Sequence, residues 1–140
     1  MSENFLYGEE HVRRYRETDG EEGYEWREGS HILLLTTTGR KSGDRTTTPL
    51  IFGMDGDNPV VVASKGGAPE HPGWYKNLVA SPAAEVQIKG ETFPVRARDA
   101  EGDERERLWT MMNGEWRHYD EYARKTERAI PVVVLERTSA

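Results

Sequence analysis

The chain has 140 residues, a net charge of −6 from 19 Lys and Arg against 25 Asp and Glu, and a mean hydropathy of −0.83. That length suits one domain with its own core, and the acidic balance argues against a grip on nucleic acid, which needs basic surface. The absence of Cys excludes disulfides and a thiolate nucleophile, and the short apolar runs, with no signal-peptide core in MSENFLYGEEHVRR, lead to the expectation of a soluble cytoplasmic domain. Residues 1–30 read as a polar N-terminal arm with a short helix over 11–17, in which Val12 and Tyr15 share a side. Tyr24 and Trp26 of that arm need a surface to cover. The body, 31–140, opens with a strand over 31–38, a turn over 39–44 and a second strand over 45–54. Pro49 within that second strand marks an edge, a bulge or a bend. Asp55-Gly56-Asp57-Asn58 is a hairpin signal, and 59–64 reads as a strand buried on both faces. A helix over 71–80 has Pro72 at its first position. Strands over 85–89 and 91–98 turn at Lys89-Gly90, and a helix over 101–112 gathers Leu108, Met111 and Met112. A further helix over 116–128 carries Trp116, Tyr119 and Tyr122, and the last strand covers 130–135. Short, mostly hairpin-linked strands with few helices imply an antiparallel barrel with a helical cover.

Two turns carry candidate chemistry. Gly39-Arg40-Lys41-Ser42-Gly43 follows an apolar strand and combines glycines, cations and a hydroxyl. Such a turn presents backbone N–H groups and positive charge to a phosphate or carboxylate, although an ordinary charged hairpin turn has the same composition. Ser64-Lys65-Gly66-Gly67-Ala68 repeats that chemistry after the next buried strand. If the two converge, they supply local cations for one anionic ligand in an acidic protein. In His71-Pro72-Gly73-Trp74-Tyr75-Lys76-Asn77, Trp74 is either core or the wall for a flat ring, Asn77 is placed to bond a neighbouring loop, and His71 reads as a helix cap. Trp116, Tyr119 and Tyr122 form either a core stripe or a pocket wall whose phenols supply a proton. The histidines lack metal-ligand spacing and no Ser-His-Asp pattern appears, so in an enzyme the hard chemistry falls to a bound cofactor.

LLLTTTGRKSG, then PLIF, VVVASKGGAPEHPGWYKNL, VQIKGETFPVRAR and IPVVVLE together resemble the deazaflavin-dependent nitroreductase family, split β-barrel oxidoreductases that use coenzyme F420. The resemblance runs from about Tyr15 to Leu135. It implies a mainly β fold: an antiparallel split barrel of six or seven strands, related to flavin mononucleotide (FMN)-binding proteins, with a few covering helices. It implies hydride transfer from reduced F420 to a quinone, nitroaromatic or activated alkene. Gly39, Arg40, Lys41 and Ser42 match the family's phosphate-contacting turn, and Ser64, Lys65, Gly66, Gly67 and Ala68 its second binding segment. Pro49 and Leu50 match the strand beside the ring, and Trp74, Tyr75 and Asn77 the helix next to the cofactor. Trp116, Tyr119 and Tyr122 match the substrate pocket, with Tyr119 and Tyr122 as proton donors because Trp116 stands where some relatives have Tyr. Thr46 stands where relatives carry Arg, and Arg45 one residue earlier points to the other face. The alternatives are a non-catalytic F420 or flavin carrier, or an FMN or haem enzyme on the same barrel. The expected partner is a small-molecule electron acceptor, with peripheral membrane contact if it is a quinone.

Overall fold

β1 (Ile32–Thr38) is buried along almost its whole length, and this explains its unbroken Ile-Leu-Leu-Leu run. Leu33 and Leu35 point into the main core, whereas Ile32 and Leu34 point the other way and meet Tyr15. Tyr15 lies on α1 (Gly8–Thr18) and is fully buried. Its hydroxyl accepts the Lys89 amide at 2.7 Å, and burial pushes the phenol up to about 12. The arm is therefore fastened to the sheet by its own aromatic residue. A Cβ on Gly23, which has φ +100°, would stand 2.9 Å from the His11 ring, so Gly23 lets the arm fold back and accept the His11 Nε2 hydrogen bond at 2.8 Å.

The computed structural model describes residue 6 and residues 8–138. The remaining strands are β2 (Arg45–Ile51), β3 (Gly53–Asp55), β4 (Asn58–Val62), β5 (Ala83–Ile88), β6 (Glu91–Asp99) and β7 (Val132–Arg137). They form one seven-stranded antiparallel sheet in the order β2-β1-β5-β6-β7-β4-β3. Its two edges, β2 and β3, are separated in the chain by one residue, Phe52. A sheet whose opposite edges are joined by a single residue must curl until those edges meet, which is the split barrel. The sequence pattern gave one strand over 45–54; the structure breaks it at Phe52 because the chain leaves β1 there to pair with β4. Phe52 itself turns into the core, and its amide bonds the His31 carbonyl at 3.1 Å. Pro49 sits on edge strand β2 opposite Leu34, where a missing N–H costs no interior ladder bond.

β4 and β7 are covered on both faces, as their valine runs require. Val61 and Val133 face the barrel interior, whereas Val60, Val62, Val132 and Val134 meet Leu108 and Met112 of α3 (Gly102–Glu115). Burying each such side chain contributes about 1.5–3 kcal/mol. α2 (Gly73–Ala80) begins one residue later than the sequence suggests: Pro72 precedes the helix, and its carbonyl accepts from the Tyr75 and Lys76 amides. His71 does not cap that helix. Its ring packs on Tyr75 and its Nδ1 meets Arg128. The single helix expected over 116–128 is also corrected. Trp116 ends α3, its amide bonding the Met112 carbonyl at 2.8 Å, and α4 (Tyr119–Lys125) starts afresh after it.

Candidate active site

A cleft of about 430 Å³ opens between β2, the segment after β4, the start of α2, the α3–α4 junction and the arm. That volume accommodates a small planar molecule. Thr48, Pro49, Leu50 and Ile51 form one wall, and Val62, Pro72 and Trp74 another. Ser64, Lys65 and Gly66 close one part, whereas Trp26, Trp116, Tyr119 and Tyr122 supply an aromatic part.

The Ser64–Ala68 segment has the backbone of an anion cradle. Ser64 is right-handed helical (φ −79°, ψ −37°), and Lys65 and Gly66 follow with φ +47° and +63°. A right-handed residue followed by a left-handed one turns successive N–H groups toward a common point. Among the described residues, the amides of Gly67 and Ala68 bond back to Ser64 and Lys65, whereas those of Ser64, Lys65 and Gly66 have no backbone partner. Gly67 is packed beneath α4: a Cβ there would lie 2.8 Å from the Tyr122 carbonyl oxygen, and φ is +85°. Only a residue without a side chain lets α4 come this near, so Gly67 sets the spacing between Tyr122 and the cradle.

Arg128, which sequence reasoning did not single out, holds this segment from behind. Its guanidinium donates to the carbonyls of Ala68 (2.8 Å), Ala63 (3.2 Å) and Ser64 (2.7 Å), and its Nη1 lies 3.0 Å from His71 Nδ1. Burial and the neighbouring Arg128 charge lower the His71 pKa, in keeping with a neutral ring that accepts this bond. Nothing in the Glu127-Arg128-Ala129 context marks the role, because these guanidinium partners lie at least 57 residues away in sequence.

The first glycine-cation turn does not line the cleft, but α2 connects it there. Gly39 and Asp44 close the turn at 2.7 Å, and Ser42 Oγ accepts the Asp44 amide at 3.1 Å. Arg40 is tied to Asn77 through its amide (3.2 Å) and its guanidinium (2.9 Å), and Asn77 donates to Thr37 at 3.1 Å. Trp74 lies in the cleft wall and Asn77 is almost one turn along the same helix, so α2 has Ser64–Ala68 leading to its start and Gly39–Ser42 bonded to its second half. Arg40, Lys41 and Lys65 are exposed. Arg45 also stays outside the cleft and approaches Glu85 at 3.9 Å. Tyr75 turns away from it: its hydroxyl donates to Asp99 at 2.6 Å, and burial together with that bond raises the phenol far above its ordinary range.

At the aromatic part, Trp116 Nε1 donates to the Tyr122 hydroxyl at 3.2 Å, so Trp116 and Tyr122 converge although they belong to different elements. Tyr119 is buried, and desolvation raises its phenol well above its ordinary range, so it stays protonated at neutral pH. Trp26 of the arm packs on Trp116 with ring centroids 5.6 Å apart. Beside that pair, Glu28 receives Arg117 at 2.7 Å and His118 at 2.8 Å. The arm is thus clasped to the α3–α4 junction along the cleft. Among the described residues no cluster of His, Asp or Glu could hold a metal ion, and no helix is long and apolar enough to cross a membrane.

The profile of the F420H(2)-dependent quinone reductase family matches residues 7–137. The chain belongs to this family. An F420H(2)-dependent quinone reductase of Mycobacterium tuberculosis is 41% identical over 130 residues, covering 91% of this chain and 87% of the relative. A solved F420-H2 dependent reductase is 43% identical with a TM-score of 0.70, covering 75% of this chain and 93% of that one. A structure described as a domain-swapped dimer is 40% identical with a TM-score of 0.73, covering 91% of this chain and 95% of that one. A haem-binding protein from Mycobacterium smegmatis, 20% identical with a TM-score of 0.59, shares the fold. In this F420H2-dependent family the cofactor is coenzyme F420, and the members are oxidoreductases with small-molecule acceptors. The residues present fit such a group: cradle amides without a backbone partner among the described residues, together with Lys65, suit a phosphate, and Pro49, Leu50 and Trp74 suit a flat ring.

Proposed function

We propose that this chain reduces a quinone with F420H2 bound in the cleft, its ring against Pro49, Leu50 and Trp74. The observation that carries this reading is the continuity of one cleft from the Ser64–Lys65–Gly66 cradle, along an apolar wall, to the aromatic cluster. The cradle amides, the Ser64 hydroxyl and Lys65 hold the phosphate, with Gly67 and Ala68 shaping the segment. Gly39, Arg40, Lys41 and Ser42 face the acidic tail beyond it. Asn77 fastens that turn to α2, and Tyr75 anchors the helix through Asp99.

Reduced F420 supplies a hydride to the acceptor when bound. The protein's part is to hold the two rings in reacting register and exclude water. Trp26, Trp116 and Tyr122 form the surface against which a planar acceptor lies. A quinone that gains a hydride also needs one proton to become the hydroquinone. Tyr119 and Tyr122 are the phenols in reach of the cleft.

Fluorescence titration is expected to show F420 binding at micromolar concentrations or tighter, and F420H2 is expected to be oxidised on adding a soluble quinone. No quenching at high protein concentration would overturn the proposal. The double variant Tyr119→Phe/Tyr122→Phe is expected to lower kcat about 100-fold, within the usual range for losing a general acid. Its F420 affinity should stay within about twofold, since neither hydroxyl is assigned to the cofactor. A wild-type kcat in that variant would assign the proton to solvent.

A further inference from the structure

We propose that Arg128 is a positioning residue that aims the Ser64 and Lys65 amides at the phosphate of the bound cofactor. This rests on the reading above, that the segment holds that phosphate.

In a planar trans peptide unit, C=O and N–H point in opposite directions. Arg128 draws the Ala63 and Ser64 carbonyls toward its guanidinium, at 3.2 and 2.7 Å. The N–H groups of the same two peptide units, those of Ser64 and Lys65, are therefore directed away from Arg128. Ser64, Lys65 and Gly66 line the cleft on their other side. The third carbonyl, that of Ala68, is held at 2.8 Å and closes the far end of the segment. One side chain thus determines the direction of the cradle without lining the cleft itself.

This hold is needed because the segment is strained. Lys65 has φ +47°, a left-handed conformation that residues with a side chain disfavour. Among the described residues the cradle amides gain no backbone partner in return. Three charge-assisted bonds to carbonyls offset that strain. His71 completes the arrangement by accepting from Nη1 at 3.0 Å, which keeps the guanidinium fork from rotating out of line. Lys cannot reproduce this arrangement. It carries the same charge, but its single ammonium cannot span carbonyls of residues 63, 64 and 68 and the imidazole together.

The test compares F420 with the deazaflavin riboside that lacks the phosphate and everything beyond it, titrated by fluorescence against wild type, Arg128→Gln and Arg128→Lys. Both variants are expected to weaken F420 binding about tenfold or more, the usual scale for losing a charge-assisted bond. Both should bind the riboside within about twofold of wild type, since ring contacts are untouched. Unchanged F420 affinity, or equal losses for both ligands, would overturn the proposal; equal losses would mean that Arg128 only supports the fold. Should Arg128→Gln fail to melt cooperatively, Arg128→Lys carries the comparison. In the wild type, the Ser64 and Lys65 amide proton resonances are expected to shift with F420 and to stay in place with the riboside; stationary resonances with bound F420 would also overturn it. Failure of the wild type to bind F420 at all would instead remove the cofactor reading on which this one stands.

Discussion

Asn77 shows how one side chain can fasten the first glycine-cation turn to α2. Its carbonyl oxygen takes the Arg40 amide and guanidinium, its amide reaches Thr37, and the residue is buried on the helix that contributes Trp74 to the cleft. Replacing it with Ala leaves those groups short of partners, at a cost of about 1–3 kcal/mol. Asn77→Ala is expected to lower the melting temperature and to weaken F420 binding several-fold by freeing the Arg40 turn. Asn77→Asp should lose far less, because its carboxylate still accepts from Arg40 and the Thr37 hydroxyl can reverse and donate. Equal losses in the two variants, read by thermal melting and F420 titration, would contradict the linking role. The amide pointed toward a loop from sequence alone, since Asn on a short helix beside a glycine turn has few other uses. Arg128 gave no such sign, because its value comes entirely from carbonyls that the fold brings to it from more than fifty residues away.

At the scale of elements, the arm and α4 are joined by a contact that titrates. Glu28 and then Glu121 raise the His118 pKa above its ordinary 6.5, and hydrogen bonding from His118 lowers that of Glu28 below its ordinary 4.5. The His118 contribution is therefore complete below pH 6.5 and fades as pH rises through the higher folded value. The Glu28 contribution is complete above pH 4.5 and fades as pH falls through the lower folded value. The clasp is strongest between these limits, and on the alkaline side Arg117 keeps its charge against Glu28 while His118 has lost its own. Tryptophan emission, reporting Trp26 on Trp116, is expected to change as pH rises above 6.5 in wild type and to stay flat there in His118→Gln. Most elements were legible as apolar runs and turn residues: β1, β4 and β7 are buried on both faces, and the hairpins at 55–58 and 89–90 stand where their glycines are. What was not legible depends on distant partners. Nothing local distinguishes a continuous strand over 45–54 from one that changes neighbours at Phe52. The spacing of Trp116, Tyr119 and Tyr122 fits one helix as well as it fits a cap followed by a second helix.

Over the whole molecule, an acidic chain sets aside cations for its turns. Arg13, Arg14, Arg98, Arg107 and Arg137 are spent on carboxylates at the surface, whereas Arg40 bonds an uncharged amide and Lys65 stands exposed beside peptide N–H groups that have no backbone partner among the described residues. Surface ion pairs of the first kind add little stability each. The second kind leaves charge available to an incoming anion, so the sign of the protein as a whole says little about the sign of its cleft. The curl of the sheet then decides what lies beside that cleft, since β2 provides one of its walls and the chain crosses from β2 to the opposite edge at Phe52. The order of the strands has a consequence for biosynthesis. β3 and β4 precede most of the sheet in the chain, yet among the described residues their ladder to the rest of it runs through β7, which is made after the other six strands. Until then a valine-rich hairpin has one unpaired flank, the kind of nascent surface that chaperones guard and that aggregates when translation stalls.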